Sequence, residues 1–322
     1  MPDQAIPSVR TSLARFLIPI LGFLCLFPFL SAAGALLLGI AAALSIGNPH
    51  LHKTRSLTHR LLGLSVMGLG AGMDLKVVGR IGVQGIGYTV FGISLALIFG
   101  ILLGKLLKTK KDTSLLTTVG TAICGGSAIA AVASTIQAKH EDVSVSLGTV
   151  FLLNALALVL FPFIGHSLRL TETQFGLWSA LAIHDTSSVV GATLQYGAHA
   201  LEVGTTVKLA RALWIVPLTL VIGFFAARKG AHPAAKPKRP WFILGFIVAS
   251  ALVTWIPFLR PAGHLVESAA KRGLVLTLFL IGTNLTWDTL RAVGIRPFLQ
   301  GAFLWLAMGS ITLEAIVLGW IH

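Results

Sequence analysis

The chain of 322 residues is 55% hydrophobic and only 11% charged, with a mean hydropathy of +0.86, which leaves too little polar surface for a soluble domain of this length. A polytopic membrane protein is expected. The formal net charge of +14 would point to nucleic acid in a soluble chain, but Lys and Arg gathered in cytoplasmic loops give a membrane protein the same total, so no nucleic-acid partner is expected.

Apolar stretches of bilayer length fall near 13–31, 33–46, 60–73, 83–104, 115–137, 145–165, 175–197, 204–227, 241–258, 268–285 and 298–320, eleven in all. The first carries Arg10 and Arg15, an apolar run from Phe16 to Leu30, and the small residues Ser31, Ala32 and Ala33, which together imitate a secretory signal peptide. A second apolar run follows at once from Gly34. Assigning the connections alternately to the two sides puts seventeen Lys and Arg on one side, among them Lys53, Arg55, Arg60, Lys105, Lys108, Lys110, Lys111 and Arg169. At most six fall on the other, Lys76, Arg80, Lys139, Arg260, Lys271 and Arg272. By the positive-inside rule the N-terminus is cytoplasmic and the C-terminus external. The segment 228–240, rich in proline and cations, reads as a cytoplasmic hinge or lipid-headgroup contact.

Eleven spans divide into an N-terminal segment with a leading helix (1–32) and two groups of five, 33–170 and 171–322. Five being odd, the second group must be inverted relative to the first, an architecture of many secondary transporters. Two internal likenesses accompany this division. Gly68-Leu-Gly70-Ala-Gly72-Met73-Asp74-Leu75 resembles Leu280-Ile-Gly282-Thr283-Asn284-Leu285-Thr286, and Ala122-Ile-Cys-Gly-Gly-Ser127 resembles Ala182-Ile-His-Asp-Thr-Ser187. Neither pair occupies equivalent places in a five-plus-five scheme.

In the fifth stretch, Cys124, Gly125, Gly126 and Ser127 interrupt the apolar run, and paired glycines, each about 1 kcal/mol poorer than alanine in a helix, let the backbone unwind. Unwound backbone is tolerated in a bilayer only where it is buried in protein or lines a cavity. Good helix-forming residues resume at Ala128, so a half-helix N-terminus near Gly126, able to bind an anion, is expected; close helix packing is the competing account. In the seventh stretch His184, Asp185, Thr186, Ser187 and Ser188 are consecutive and cannot all face one neighbouring helix. A mid-bilayer aspartate costs roughly 2.5–3.5 kcal/mol on insertion scales, which a transported ion or substrate would offset. In the eighth, Lys208 and Arg211 share a helical face and either snorkel to the interface or point inward as fixed positive charges. Asn154, Asn284 and Glu314 are further polar residues within apolar stretches. Cys25 and Cys124 lie far apart in apolar runs, which fits neither a disulfide framework nor a zinc site, and no cofactor is expected.

Taken in order, the run Gly120 to Ala131, the run Ala182 to Ala192 with its His-Asp-Thr-Ser-Ser core, and Val207-Lys-Leu-Ala-Arg211 with Pro217 resemble the signature of the YeiH-like family, named for sulfate export. That family resembles in turn the bile acid and auxin carrier superfamily. The likeness implies a bacterial inner-membrane carrier with inverted five-helix repeats, crossed broken helices and elevator-like movement. It also implies that spans 5 and 10 are the crossing helices, whereas the residues themselves put the second break in span 7.

The function expected is transport of a small anion of sulfate or sulfonate type. Substrate-binding groups would be Cys124, Gly125, Gly126, Ser127, Thr186, Ser187, Ser188, Lys208, Arg211 and Asn284, with His184 and Asp185 as a coupling or gating pair that takes H⁺ or Na⁺. The alternative is a cation/proton antiporter or ion channel using Asp185. An intramembrane enzyme is not expected, because the chain lacks a His-Glu-x-x-His, a phosphate-binding Gly-Lys-Ser/Thr loop and a dinucleotide fingerprint. The partners are the substrate anion and the bilayer; a homodimer suits an elevator scaffold without being fixed by any residue.

Overall fold

A computed structural model of the chain describes residues 9–227 and 241–321, and the proposed basic loop 228–240 lies outside the described residues. The described residues form helices and no strand. In chain order the first seven are α1 (Val9–Leu24), α2 (Ala32–Ser45), α3 (Leu51–Gly70), α4 (Leu75–Leu106), α5 (Lys111–Ala122), α6 (Gly126–Ile136) and α7 (His140–Ser167). They are followed by α8 (Glu172–Ala182), α9 (Thr186–Tyr196), α10 (Ala198–Ala212), α11 (Ile215–Ala227), α12 (Trp241–Trp255), α13 (Arg260–Thr283), the short α14 (Trp287–Ala292) and α15 (Ile295–Val317). Four continuous segments are long and apolar enough to cross a membrane, and two bent helix pairs raise the number to six. Large apolar side chains such as Phe91, Leu102, Phe163, Leu220 and Leu244 stand exposed on these helices, as lipid-facing surface requires.

The decisive feature is the path of the chain on either side of α7. Helices α5 and α6, of 12 and 11 residues, would carry a straight chain roughly 40 Å from Thr113 to Asp142. Instead the Thr113 hydroxyl donates to the Asp142 carboxylate at 2.5 Å, Lys110 pairs with Glu141 at 3.1 Å, and Thr117 donates to Ser146 at 3.3 Å. So α6 returns to where α5 began, and the two form a helical hairpin whose base rests on the N-terminal end of α7. Helices α8 and α9 do the same at the other end. Glu172, in the first turn of α8, accepts from the His199 and Ala200 amides that open α10, at 2.7 and 3.1 Å. Tyr196 at the end of α9 donates to the Leu170 carbonyl and stacks on Phe175 with ring centroids 3.7 Å apart.

Two of the eleven expected spans, 115–137 and 175–197, are therefore not crossings but hairpins, entering from opposite faces of the layer that α7 traverses. The breaks lie where the residues indicated, at 123–125 and 183–185. The tenth stretch, expected from the family likeness to be broken, is continuous helix through Thr283.

A second group of helices packs beside the hairpins. α13 runs antiparallel to α3: Asn284 meets Thr54 and Thr58 at one end, and Gly68 lies against Ala270 nearer the other. α2 crosses α13 so closely that a Cβ on Gly39 would collide with the Phe279 carbonyl. α12 lies on α3 in the same way, with Gly70 against Phe246, and α1 covers α13 through Ala14 and Ile18, joined by Cys25 just past its end.

Candidate functional site

The two hairpin tips meet. A Cβ built on Gly125 would sit 3.3 Å from the Asp185 Cβ and 3.4 Å from Val150 of α7. Asn154, halfway along α7, accepts the Asp185 backbone N–H at 3.2 Å, so the junction lies at mid-depth. Gly125 has φ +66 and ψ −125, a backbone conformation that glycine alone adopts without strain. That positive φ, rather than general flexibility, is what the first of the paired glycines supplies at the break after α5.

The junction gathers four half-helix ends: the C-termini of α5 and α8, where carbonyls lack intrahelical donors, and the N-termini of α6 and α9, where amides lack acceptors. Lys208 and Arg211, one turn apart on α10, serve the carbonyl ends. Lys208 Nζ donates to the Ile183 carbonyl at 2.6 Å and to Ala180 at 3.4 Å. Arg211 donates from Nε and Nη2 to the Ala122 carbonyl at 2.8 and 2.6 Å, and from Nη1 to Leu181 at 2.6 Å. One guanidinium thus ties the two hairpins together. Both side chains are buried, at 0% and 1% exposure, so neither snorkels. These cations, expected to bind substrate, turn their donors onto backbone oxygens, because those carbonyls, buried without water, require partners.

At the N-terminus of α9, Asp185 is the cap, accepting from the Ser187 amide at 3.2 Å and from the Ser187 hydroxyl. Thr186, Ser187 and Ser188 are buried beside it. At the N-terminus of α6 no side chain caps the helix: Gly125 stands where Asp185 stands in the other hairpin, and Gly126 and Ser127 open the first turn. Gly126 is buried and Ser127 exposed. Cys124 and His184, matching positions in the two tips, are both buried, and neither nitrogen of the His184 ring has a hydrogen-bond partner among the described residues. The Asn154 side-chain amide nitrogen is likewise without one.

Asn284 does not join this site. It caps the end of α13, where its oxygen accepts from Thr54 at 2.7 Å and its nitrogen lies 3.4 Å from Thr58, a tie between α13 and α3. Glu314, near the end of α15, is exposed. Sequence reasoning missed Asp142 and Glu172, which hold the hairpin bases, and Gln300, fully buried, whose amide reaches Gly100 of α4 and Ser114 and Thr118 of α5. A signal for the first base was present: the cations Lys110 and Lys111 face the acidic pair Glu141-Asp142 across one hairpin's length of chain.

Comparison with known proteins agrees with this placement of the chain in a membrane. The family model described as "Conserved hypothetical protein 698" matches residues 13–301. The chain is 67% identical to the UPF0324 membrane protein of Bdellovibrio bacteriovorus over 97% of both chains. It is 46% identical to that of Geobacter sulfurreducens, covering 96% of this chain and 98% of the relative. The chain belongs to the UPF0324 membrane protein family. A further UPF0324 membrane protein, from Porphyromonas gingivalis, is 48% identical over 88% of this chain and 86% of its own. No solved structure matches. For a UPF0324 protein, then, a membrane location is supported, and the polar junction of the hairpins lies midway along α7, one of the helices long and apolar enough to cross.

Proposed function

We propose that this UPF0324 chain is a secondary carrier for a small anion of the sulfate or sulfonate type in the bacterial inner membrane, and not an enzyme. One observation carries the reading. Of the four half-helix ends at the junction, three are met by the chain's own charges, Arg211 and Lys208 at the carbonyl ends and Asp185 at the start of α9, while the positive end at Gly126 and Ser127 has no counter-charge from a side chain. Two cations and one carboxylate leave the junction one positive charge in excess, the complement of a bound anion. Hydroxyls of Thr186, Ser187 and Ser188 lie within the same junction to replace hydration water. His184 and Asp185 remain the groups for H⁺ or Na⁺ coupling, which uptake of a dianion against about 4.6 kcal/mol per 100 mV would need and export would not.

The inverted repeat is part of the proposal, in a form the even division did not foresee. Each half holds five elements, α2, α3, α4, hairpin and α7 in the first, hairpin, α10–α11, α12, α13 and α15 in the second. Moving the first order on by two places pairs hairpin with hairpin, α7 with α10–α11, α2 with α12, α3 with α13 and α4 with α15. Both internal likenesses obey that one shift: Ala122–Ser127 with Ala182–Ser187, and Gly70 to Asp74 with Gly282 to Thr286. The antiparallel packing of α3 on α13, and the matching placement of α2 on α13 and α12 on α3, support it. The hairpins with α7 and α10 would then be the moving core, and α2, α3, α12 and α13 the scaffold.

The test places a carboxylate where the anion would bind. Ser127→Asp, at an exposed position in the first turn of α6, keeps or slightly raises thermal stability through the helix end, by about 0.3–1 kcal/mol, and abolishes flux of radiolabelled sulfate in proteoliposomes. Unchanged sulfate flux in this variant, or dissipation of a proton gradient by Na⁺ with no oxyanion present, overturns the anion reading.

A further inference from the structure

Away from the hairpin tips, a cavity of about 460 Å³ opens where the far end of α9 faces the α1–α2 connection and the middle of α13. That size is ordinary for a small-molecule site. Its lining divides by character. Phe29, Leu30 and Leu194 form an apolar wall, while Ser31, Lys271 and Arg272 supply a polar, cationic one. Lys271 is offset by Glu267 at 2.7 Å, but Arg272 spends only one 3.2 Å bond, to the Phe27 carbonyl, and no carboxylate pairs with it among the described residues. Ser31 caps the N-terminus of α2, whose first turn begins at the cavity wall with Ala32, so a positive helix end adds to the uncompensated guanidinium. A planar five-donor group beside a helix start suits an oxyanion, and the hydrocarbon wall beside it suits a ligand with an apolar part.

We infer that this cavity is a second binding site, for an amphiphilic anion: a sulfonate, carboxylate or phosphate ester whose head meets Arg272 and Lys271 and whose hydrocarbon lies on Phe29, Leu30 and Leu194. Leu194 and Gln195 belong to the return arm of the second hairpin, about 12 Å along α9 from Thr186, so an occupant touches the hairpin and α13 together. The chemistry is shared by a soluble organic sulfonate and by an anionic lipid headgroup. The inference concerns binding alone and does not depend on transport through the tips.

Calorimetric titration of the full chain in phosphatidylcholine nanodiscs with pentanesulfonate tests it. Saturable binding is expected, weakened about tenfold or more by Arg272→Gln. Leu194→Asn, which keeps the charges and spoils the apolar wall, weakens pentanesulfonate and leaves inorganic sulfate unaffected. Ser127→Asp removes any binding at the hairpin junction and leaves the Arg272-dependent binding in place, which separates the two sites. Competition by phosphatidylglycerol in the nanodisc assigns the site to a lipid headgroup, and its absence assigns it to a soluble anion. No binding to the wild type, equal binding to Arg272→Gln, or loss of binding in Ser127→Asp while Arg272→Gln binds normally, overturns the inference.

Discussion

Arg211 holds more of the hairpin junction together than any other side chain. Its guanidinium reaches one carbonyl from each hairpin, Ala122 and Leu181, a geometry that a lysine ammonium cannot span. Arg211→Gln removes the charge-assisted bonds and leaves buried carbonyls without donors, so the unfolding free energy should fall by about 3 kcal/mol. Arg211→Lys should recover less than half of that. Thermal unfolding in detergent reads both, and the loss should be the same with and without added sulfate, as befits a group that ties backbone rather than substrate. The sequence marked Lys208 and Arg211 as sharing a face, yet it held no sign of what that face met. Their partners are carbonyls, which every residue possesses, and no side-chain pattern announces them. Asp185 was legible as a functional candidate because its ionisable side chain is costly in an apolar run. Its capping of the Ser187 amide follows the ordinary preference for Asp before a helix.

At the scale of elements, the breaks were legible and the turning back was not. Gly125 and Gly126 stop a helix, and Asp185 starts one, so both interruptions could be read from local chemistry. Whether the chain continues forward or reverses after an interruption is decided by what the far end meets, here Asp142 for Thr113 and the α10 amides for Glu172. Cysteine pairs report this directly. In a background lacking Cys25 and Cys124, Thr113→Cys with Asp142→Cys, and Glu172→Cys with His199→Cys, should each form a disulfide in native membranes on mild oxidation. A chain crossing straight through would hold each pair roughly 40 Å apart and give no crosslink. Formation of neither disulfide would remove the hairpins.

For the whole molecule, the positive-inside count is blind to whether the fifth and seventh stretches cross the membrane or double back as hairpins. Turning the fifth and seventh stretches into hairpins moves only the connections that flank α7. Lys139 joins the cation-rich side, Arg169 leaves it, and the totals do not change. The charge asymmetry therefore cannot distinguish the two topologies. It also yields a test: Lys139→Cys should react with an impermeant thiol reagent from the cytoplasmic face and Arg169→Cys from the external face, the reverse of the eleven-span arrangement. The cyclic displacement proposed for the two halves would escape sequence reasoning for a related reason, since a search for repeats in register compares α3 with α10–α11 and α7 with α15.

The position of Arg211 in the chain has a consequence for biogenesis. Both hairpins are synthesised before the residue that fastens them, and the first, complete by residue 136, waits through some seventy further positions for α10. Until then four open helix ends face one another with only Asp185 to answer them, a configuration that lipid cannot solvate. A ribosome-stalled chain ending ahead of Lys208 should therefore leave the tips open to protease or chaperone, and the inserted bundle acquires its closed centre only when the eighth apolar stretch arrives.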